Sequence, residues 1–496
     1  MSKDLVNSIP ANIGNTLQID LYIEDTKDTK GIKKARSYAG HIDINSMDPG
    51  RMNHLFYWFF ESQTCNPHVA IDDPVQKKLI SETPLIIWLN GGPGASSLVG
   101  LFLENGPFTI GDDAAGTISV TPDSWNQEAH VVYWDQPIGT GYSYADPAGE
   151  YDPTKVEYVR NEEDLSQMFW EGLQGFFTRH PEYKDCPLYL CGESYAGKYV
   201  PAIALKIDEK NRNLEDPQIR IDLNGTSVGN GWIRPELSIR ITIDYAYATG
   251  FIGIDQKNQL YKFYDDFKKA LSEGKLEDAT RLGNALVNAT LGCGGGFDLY
   301  DARRWEDPSM GALSSYLDSK DVKKALHVPE LVTWQCQDNA GPVAQSLVKD
   351  IMRDCSESFT KLLKAKNDVG YRYKLLFYTG NFDLACGYQS TEEILDDLEK
   401  WEDTEDDPWR TAPRWIWTQA QGNPKGFVRQ YLNLTQVSVP DSGHLVPIFQ
   451  PQTCREMIYN WIFDRPFLGG YIYTPKVDDS QGGRFSRWKH SPRRDR

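Results

Sequence analysis

One hexapeptide has the residue types of a serine nucleophile. Gly192-Glu193-Ser194-Tyr195-Ala196-Gly197 follows the apolar run Leu188–Cys191 and opens a segment with helical character. In a nucleophile elbow a strand ends, the chain turns sharply, and the serine sits at a helix N-terminus with its hydroxyl exposed. Small residues at 192 and 196 allow tight packing, although Ala196 replaces the second glycine of the usual pattern. An ordinary strand–turn–helix joint is the competing interpretation.

A serine hydroxyl needs a general base, and the base needs a third group that holds it in the correct tautomer. Asp383 follows the apolar run Phe377-Tyr378-Thr379-Gly380 closely, and His444 lies in a predicted turn after Val437–Val439. The order serine, acid, histidine is the one found in α/β-hydrolases, where each residue lies on a loop after a strand. We therefore predict Ser194, Asp383 and His444 as a catalytic triad.

A glycine-rich loop supplies a candidate oxyanion hole. The apolar run Leu85–Leu89 and Asn90 lead into Gly91-Gly92-Pro93-Gly94. Glycines after a strand allow backbone N–H groups to face a developing negative charge without an intervening side chain. A phosphate-binding loop is the alternative, but the chain has no G-x-x-x-x-G-K-[ST] pattern here and Pro93 lacks an N–H donor.

Apolar strand-like runs alternate with helical patterns, which predicts a doubly wound α/β sheet. The helix over Asp164–His180, for example, has apolar residues near helical spacing. From about Ile233 the sequence becomes rich in Lys- and Glu-containing helical stretches, and the sheet pattern returns near Tyr373. These changes predict a mobile lead-in or edge strand (1–36), a first core part (37–232), a mainly helical insertion (233–369), a second core part (370–479) and a disordered tail (480–496).

Composition excludes several classes of protein. The 496 residues are 40% hydrophobic, which is enough for a large core, and no apolar run reaches the length of a membrane span. The net charge of −18 makes nucleic acid an unfavourable partner. None of the eight cysteines forms a CxxC pattern, so no structural zinc site and no other metal site is predicted. The N-terminus lacks a secretory signal pattern, although three N-x-[ST] sequons, at Asn224, Asn288 and Asn433, are present.

With these residues in hand, the chain resembles the serine carboxypeptidase family that includes carboxypeptidase Y and cathepsin A. The resemblance extends from about His54 to Phe463. The sequence is most similar in character to the fungal members of the family. The resemblance rests on Trp88–Gly94, Asp135–Tyr144, Gly192–Pro201 and the segments around Asp383 and His444. It implies an α/β-hydrolase fold, with a mostly parallel central sheet and a helical cap inserted after the sixth core strand.

The resemblance also implies roles for individual residues. Ser194 is the nucleophile, Asp383 the orienting acid and His444 the base, while Gly92 and Tyr195 supply the oxyanion N–H groups. The terminal carboxylate of the substrate is assigned to Asn90, Glu104 and Glu193, with Trp88 and Gly91 beside them. Two carboxyls that share a site cannot both ionise cheaply, so one retains its proton and can donate to the substrate carboxylate.

One departure from the family concerns disulfides. Ala95 stands where a cysteine that pairs with a later one is usual, and the sequence does not determine whether Cys65, Cys336 or Cys355 forms a substitute bridge. Cys386 matches a position that is usually an unpaired thiol near the site. Cys186 and Cys191 flank one strand and are not expected to pair with each other.

The sequence thus predicts an enzyme that releases C-terminal amino acids from peptides through an acyl-enzyme, best at acidic pH. The alternative is acyl transfer or ester hydrolysis on a small molecule, since the triad alone does not choose the acceptor. A binding protein without activity is disfavoured because no triad residue is missing. No cofactor is implied. The predicted partners are peptides with a free C-terminal carboxylate, and a homodimer is compatible with the sequence. The resemblance implies a secreted, vacuolar or lysosomal location, whereas the N-terminus also fits an intracellular one.

Overall fold

The computed structural model describes most of the chain. The described residues are 4–11, 18–20, 35–46, 50–111, 116–150, 152, 155–306, 311–336, 341–367, 369–398, 408–418 and 423–468. The predicted tail, 480–496, lies outside them. Within them no helix is both long enough and apolar enough to cross a membrane.

The described residues form strands and helices that alternate along much of the chain. The strands are β1 (Ser8–Pro10), β2 (Gln18–Asp20), β3 (Ser37–Asn45), β4 (Met52–Phe60), β5 (Leu85–Leu89), β6 (Phe108–Ile110), β7 (Ile118–Val120), β8 (His130–Trp134), β9 (Tyr144–Ala145), β10 (Leu188–Glu193), β11 (Leu223–Gly229), β12 (Lys374–Gly380), β13 (Arg414–Thr418), β14 (Pro424–Tyr431) and β15 (Leu434–Val439). The helices are α1 (Pro74–Glu82), α2 (Glu162–Arg179), α3 (Ala196–Arg212), α4 (Pro235–Ala248), α5 (Ile254–Ser272), α6 (Leu276–Cys293), α7 (Gly311–Leu317), α8 (Lys320–Ala325), α9 (Pro342–Ser346), α10 (Ser356–Lys364), α11 (Tyr388–Asp397), α12 (Pro408–Thr411), α13 (Val446–Phe449) and α14 (Pro451–Ile462).

The central sheet has the order β13-β14-β15-β12-β11-β10-β5-β8-β4-β3, and the short β9 pairs with β4. The six strands from β15 to β8 in this order are mutually parallel, and antiparallel pairs extend the sheet at both edges. This is the mostly parallel α/β-hydrolase sheet that the sequence predicted. Because the carboxyl ends of parallel strands lie at one edge, the loops after β5, β10, β12 and β15 are brought together there.

The apolar composition of the inner strands follows from burial on both faces. All five residues of β5, Leu-Ile-Ile-Trp-Leu, are buried, and its bounds are those predicted. Leu85, Ile87 and Leu89 belong to one core cluster, whereas Ile86 and Trp88 belong to the cluster on the other face. This alternation is the period of two expected for a strand with helices packed on both sides.

The segment between β11 and β12 is helical over most of its described residues. Helices α4, α5 and α6 enclose a separate apolar cluster that includes Ile243, Phe267 and Leu286. Helix α10 differs, because Phe359 and Leu362 are buried in the main core beside α3. The amphipathic pattern of α10 therefore serves the hydrolase core, although the sequence placed it in the insertion. The boundaries 233 and 369 themselves stay a prediction.

Of the two interpretations of residues 1–36, a mobile lead-in or an edge strand, the strand fits the described part, which contains two short strands. Val6 and Ile9 are buried, and Ser8–Pro10 pairs antiparallel with Gln18–Asp20. The N–H of Val6 also donates to the carbonyl of Ser37, at 2.9 Å. Because the segment is mostly polar, its sequence did not reveal that Val6 and Ile9 pack into the core cluster that contains Trp88. Burial of those side chains offsets the conformational entropy that a short segment loses on ordering.

All eight cysteines are free thiols. Cys65, Cys336 and Cys355 therefore do not form the substitute bridge that the sequence left open, and the expected disulfide is absent from the structure. Cys186 and Cys191, which were not expected to pair with each other, are among these free thiols. Most of these thiols are buried in the core, where cysteine packs as a small apolar residue.

Candidate active site

Ser194 lies on the turn between β10 and α3. Its φ of 61° is in the left-handed region, which a residue other than glycine rarely adopts. The turn is held from both sides, because the Ser194 N–H donates to the Gly229 carbonyl at 3.0 Å and the Trp232 N–H donates to the Ser194 carbonyl at 2.8 Å. Such a strained and fixed serine is the geometry of a nucleophile elbow rather than of an ordinary joint.

Small residues are required around this turn. A Cβ atom at Gly192 would lie 2.6 Å from the Leu89 carbonyl oxygen and 2.7 Å from the Cβ of Ala196. Ala196 fills this space, so a larger residue at either position would separate β10 from β5 or from α3. The expectation that positions 192 and 196 need small side chains agrees with these distances.

The candidate acid and base meet on the loops after β12 and β15. His444 Nδ1 lies 2.8 Å from Asp383 Oδ2, and both side chains are buried. Asp383 also accepts hydrogen bonds from the backbone N–H groups of Ala385, at 2.8 Å, and Cys386, at 3.1 Å. A carboxylate held by several donors keeps one orientation and fixes the tautomer of the imidazole that it contacts.

Two further residues position this pair and were not predicted from the sequence. Asn230 donates from Nδ2 to Asp383 Oδ2 at 2.6 Å, and its own Oδ1 accepts from the Gly380 N–H. Tyr300 packs its ring against the imidazole of His444, with centroids 4.8 Å apart, and its carbonyl accepts from the His444 N–H at 2.7 Å. Asn230 was detectable in principle, because it lies between Gly229 and Gly231 and directly follows a buried strand.

The glycine loop after β5 lies directly against the elbow. A Cβ atom at Gly91 would collide with the backbone nitrogen of Tyr195 and lie 2.9 Å from the Cβ of Ser194. Gly92 has a φ of 101°, which only glycine adopts readily. Within the described residues, neither the Gly92 N–H nor the Tyr195 N–H donates a hydrogen bond to a backbone carbonyl. Both predicted oxyanion donors are thus beside Ser194.

The predicted carboxylate-binding residues form one buried network. Trp88 Nε1 donates to Asn90 Oδ1 at 2.8 Å, and Asn90 Nδ2 donates to Glu193 Oε1 at 2.8 Å and to Glu104 Oε1 at 3.0 Å. The Gly100 N–H also donates to Asn90 Oδ1, which fixes the orientation of the amide. The ends of β5 and β10 bring Asn90 close to Glu193, which directly precedes Ser194, and Glu104 reaches the same amide from the helical turn Gly100–Glu104.

Burial raises the pKa of both glutamates in this network. For Glu193, burial has the largest effect, and the adjacent charge and hydrogen bond of Glu104 raise its pKa further. For Glu104, burial raises the pKa, while hydrogen bonds from Glu193 and Asn90 lower it in part. The pair therefore retains a proton above the pH at which an ordinary glutamate loses one.

Comparison with known proteins identifies the family of the chain. Residues 28–464 match the family model described as serine carboxypeptidase. The chain belongs to the serine carboxypeptidase family. It is a serine-type carboxypeptidase, a hydrolase, with the α/β-hydrolase fold that the sheet order shows.

Related serine carboxypeptidases occur in several eukaryotic groups. The probable serine carboxypeptidase CPVL of Dictyostelium discoideum is 30% identical over 461 residues, covering 92% of this chain and 83% of that protein. The pheromone-processing carboxypeptidase KEX1 of Paracoccidioides brasiliensis is 31% identical over 474 residues, covering 90% and 68%. The crystal structure of a prohormone-processing carboxypeptidase from Saccharomyces cerevisiae shares the fold, with a TM-score of 0.71, 24% identity and coverage of 87% and 92%.

A cavity of about 290 Å³ opens beside Ser194 in this serine carboxypeptidase. We call it the Ser194 cavity; Gly92, Ser194 and Tyr195 line it at the elbow, and Asn284 and Asn288 of α6 line it from the insertion. Cys386 lines it as well and is a free thiol, as predicted. Burial and the nearby Asp383 raise the pKa of that thiol, so it stays protonated at neutral pH.

The asparagines of the three glycosylation sequons are not buried: Asn288 is exposed on α6, Asn224 is half-buried in β11, and Asn433 is half-buried in the turn between β14 and β15. Asn288 is in α6 and lines the Ser194 cavity, while the hydroxyl of Thr290 is buried and donates to the Leu286 carbonyl at 2.8 Å. In the other two sequons the threonine, Thr226 or Thr435, is a buried strand residue. That the chain is a glycoprotein stays a prediction.

A buried charged cluster connects the oxyanion residue Tyr195 to the insertion. The Tyr195 hydroxyl donates to Asp350 Oδ2 at 2.9 Å, and Lys198 Nζ lies 3.5 Å from the same oxygen. Lys198 also donates to the carbonyls of Asp350 and Arg353, at 2.7 Å each. Glu162 is half-buried and its carboxylate oxygens are enclosed; this burial and the charge of Asp350 raise its pKa. The first turn of α3 is thus anchored on the chain that precedes α10.

Removing the carboxylate of Asp350 should destabilise the enzyme strongly. In Asp350→Ala the ammonium of Lys198, which is only 1% exposed, loses its ion-pair partner. We expect a loss of about 3 kcal/mol in the free energy of unfolding, the lower end for a broken buried pair, because two carbonyl oxygens still accept from Lys198. Urea unfolding measures it. The double variant Lys198→Met/Asp350→Leu should lose less, and an equal or larger loss would contradict this account.

Proposed function

We propose that Ser194, Asp383 and His444 cleave the last peptide bond of a substrate whose terminal carboxylate is bound by Asn90, Glu104 and Glu193. The observation that carries this proposal is the buried network of those three residues, which adjoins the elbow. A hydrolase acting on internal bonds or on neutral esters has no use for a protonated carboxyl pair at this position. A chain terminus, by contrast, carries a carboxylate that such a pair can hold by hydrogen bonds.

The chemistry follows from the positions of the side chains. Ser194 Oγ attacks the carbonyl carbon of the last peptide bond while His444 accepts the hydroxyl proton at Nε2, since its Nδ1 is bonded to Asp383. The negative charge that develops on the carbonyl oxygen is stabilised by the N–H groups of Gly92 and Tyr195. His444 then returns the proton to the leaving amine, and water releases the acyl group from Ser194 by the same steps.

The glutamate pair explains how a negative site binds a negative ligand. With one proton shared, Glu193 donates a hydrogen bond to the substrate carboxylate, and the Asn90 amide keeps the carboxyls in place. When the pH rises through the pKa of the pair, the proton is lost and two negative charges repel the substrate. The direction of the pH dependence of substrate binding follows: binding is strongest at low pH and weakens as the pH increases. This supports an acidic optimum.

This sign predicts a pH dependence of KM that differs between substrates. From about pH 5 to 8, the KM of a peptide should rise while kcat does not fall with it. The corresponding peptide amide has no terminal carboxylate, so its KM should change much less. In Glu193→Gln the amide donates at every pH, and the rise should flatten.

Steady-state kinetics on matched peptide and amide pairs measure this effect. Glu82→Gln serves as the control, because Glu82 is exposed at the end of α1 and the variant changes the charge without touching the network. Parallel KM curves for the peptide and the amide would mean that the pair does not bind the carboxylate. Turnover of esters without release of amino acids would instead support the acyltransferase or esterase alternative.

We further propose that the enzyme acts in the secretory pathway, a vacuole or a lysosome. An acidic lumen keeps the glutamate pair protonated and so keeps peptide affinity high. Fluorescence microscopy of the tagged full-length chain tests this location, and a cytosolic signal would contradict it.

A further inference from the structure

The Ser194 cavity and the carboxylate network share no residue. None of Trp88, Asn90, Glu104 or Glu193 lines the cavity, although Ser194 itself does. A substrate whose last residue is held by the network crosses Ser194, and the residue on the other side of the scissile bond then lies toward the cavity. That residue is the penultimate one, which becomes the acyl group on Ser194.

Among the described residues that line the cavity, none has an acidic or basic side chain. Apolar surface comes from Trp232, Val287, Leu299 and Ile351. A cavity of about 150 Å³ is enough to take a benzene ring, so the Ser194 cavity has room for a medium-sized side chain. A charged side chain entering it would lose its hydration without gaining a partner of opposite charge, which is costly.

Two carboxamides face this apolar space. Asn284 and Asn288 are four residues apart, on the same face of α6. Among the described residues, neither side chain has a hydrogen-bond or ion-pair partner. The polar groups of Thr242 and Trp232 are already used, since they donate to the carbonyls of Leu384 and Ile351. Both α6 amides are exposed, so they are available to hydrogen-bond a side chain that enters the cavity.

We propose that α6 makes this enzyme selective for a neutral penultimate residue, with Asn284 and Asn288 hydrogen-bonding its side chain. The proposal rests on the proposed function, because it takes the position of the acyl residue from the carboxylate network. Methionine and glutamine have suitable sizes, and glutamine can also bond to the amides. Lysine and glutamate have similar lengths but carry charges that the cavity does not neutralise.

The test uses N-acylated dipeptides that end in leucine and have methionine, glutamine, lysine or glutamate before it. In the unmodified enzyme, kcat/KM for methionine and glutamine should exceed that for lysine and glutamate by about tenfold or more. Asn288→Asp places a carboxylate at the cavity. It should raise the ratio of kcat/KM for lysine over methionine by about tenfold and lower that for glutamate over methionine.

Ala289→Asp is the matched control. It adds the same charge one residue away on α6, at an exposed position that does not line the cavity. Its ratios should stay near those of the unmodified enzyme. Equal ratios in the two variants, or equal rates for neutral and charged penultimate residues in the unmodified enzyme, would overturn the proposal.

A second substrate series separates this proposal from the proposed function. The methyl esters of the same four N-acyl amino acids place the variable side chain in the acyl position without a C-terminal residue. Discrimination among the esters with no release of leucine from the dipeptides would refute the carboxypeptidase site and keep the cavity assignment. Release of leucine without discrimination in either series would refute the cavity assignment and keep the carboxypeptidase site.

Discussion

Replacing Ser194 with alanine is expected to lower kcat by about 10⁴- to 10⁶-fold. Gly92, Ser194 and Tyr195 line the same cavity, so we expect the acyl-enzyme to form on the Ser194 hydroxyl. Substrate affinity should persist, because the carboxylate network lies on neighbouring residues and keeps its hydrogen bonds. Residual activity would reflect binding and oxyanion stabilisation alone.

A fluorophosphonate probe measures the same loss without a substrate. The unmodified enzyme should be labelled at Ser194, whereas Ser194→Ala should not be labelled. Ser272→Ala is the matched control, since Ser272 is an exposed residue at the end of α5. Persistent labelling of Ser194→Ala would mean that another residue is the nucleophile.

Replacing Asp383 with asparagine should cost about 10⁴-fold in kcat. Asp383 accepts four hydrogen bonds, from Asn230, His444 and the backbone N–H groups of Ala385 and Cys386. An asparagine has only one oxygen, so its amide group must face at least one donor. The imidazole then loses both its orienting acceptor and the charge that stabilises it when protonated.

The kcat of Asp383→Asn should be compared with that of Asp266→Asn, which removes a charge from the exposed surface of α5. Far-ultraviolet circular dichroism of both variants shows whether the fold is retained. Labelling of Asp383→Asn by the fluorophosphonate should be slowed in proportion to kcat. A loss of less than about tenfold would show that Asp383 does not orient the base.

Much of this architecture could be predicted because local sequence and fold agree. The strand Leu85–Leu89 and the run Leu188–Cys191 before the elbow are continuously apolar, as a strand buried on both faces should be, and glycines follow each at a tight turn. By contrast, β13 and β14 were missed, because they form an antiparallel edge with partly exposed and charged residues. An edge strand buries too little surface to leave a continuous apolar run.

The residues that position the site were harder to predict than those that perform the chemistry. Asn230 contacts Asp383 from a different strand end, and Tyr300 reaches His444 from the insertion. Asn284 and Asn288 are ordinary helix residues in the sequence, and only the tertiary packing of α6 turns them toward Ser194. Contacts between distant segments leave no periodic pattern, so the sequence alone does not reveal them.

The position of Asn288 has a consequence for how the protein is produced. Oligosaccharide is transferred to sequons on chains that have not yet folded, so burial of Thr290 in the finished fold does not protect Asn288. A sugar attached there would project into the cavity beside Ser194 and compete with substrate. Protein made in a bacterial cytoplasm should therefore be more active than protein made in a glycosylating host. A Thr290→Val exchange before expression removes the sequon and keeps Asn288, so it should remove the difference.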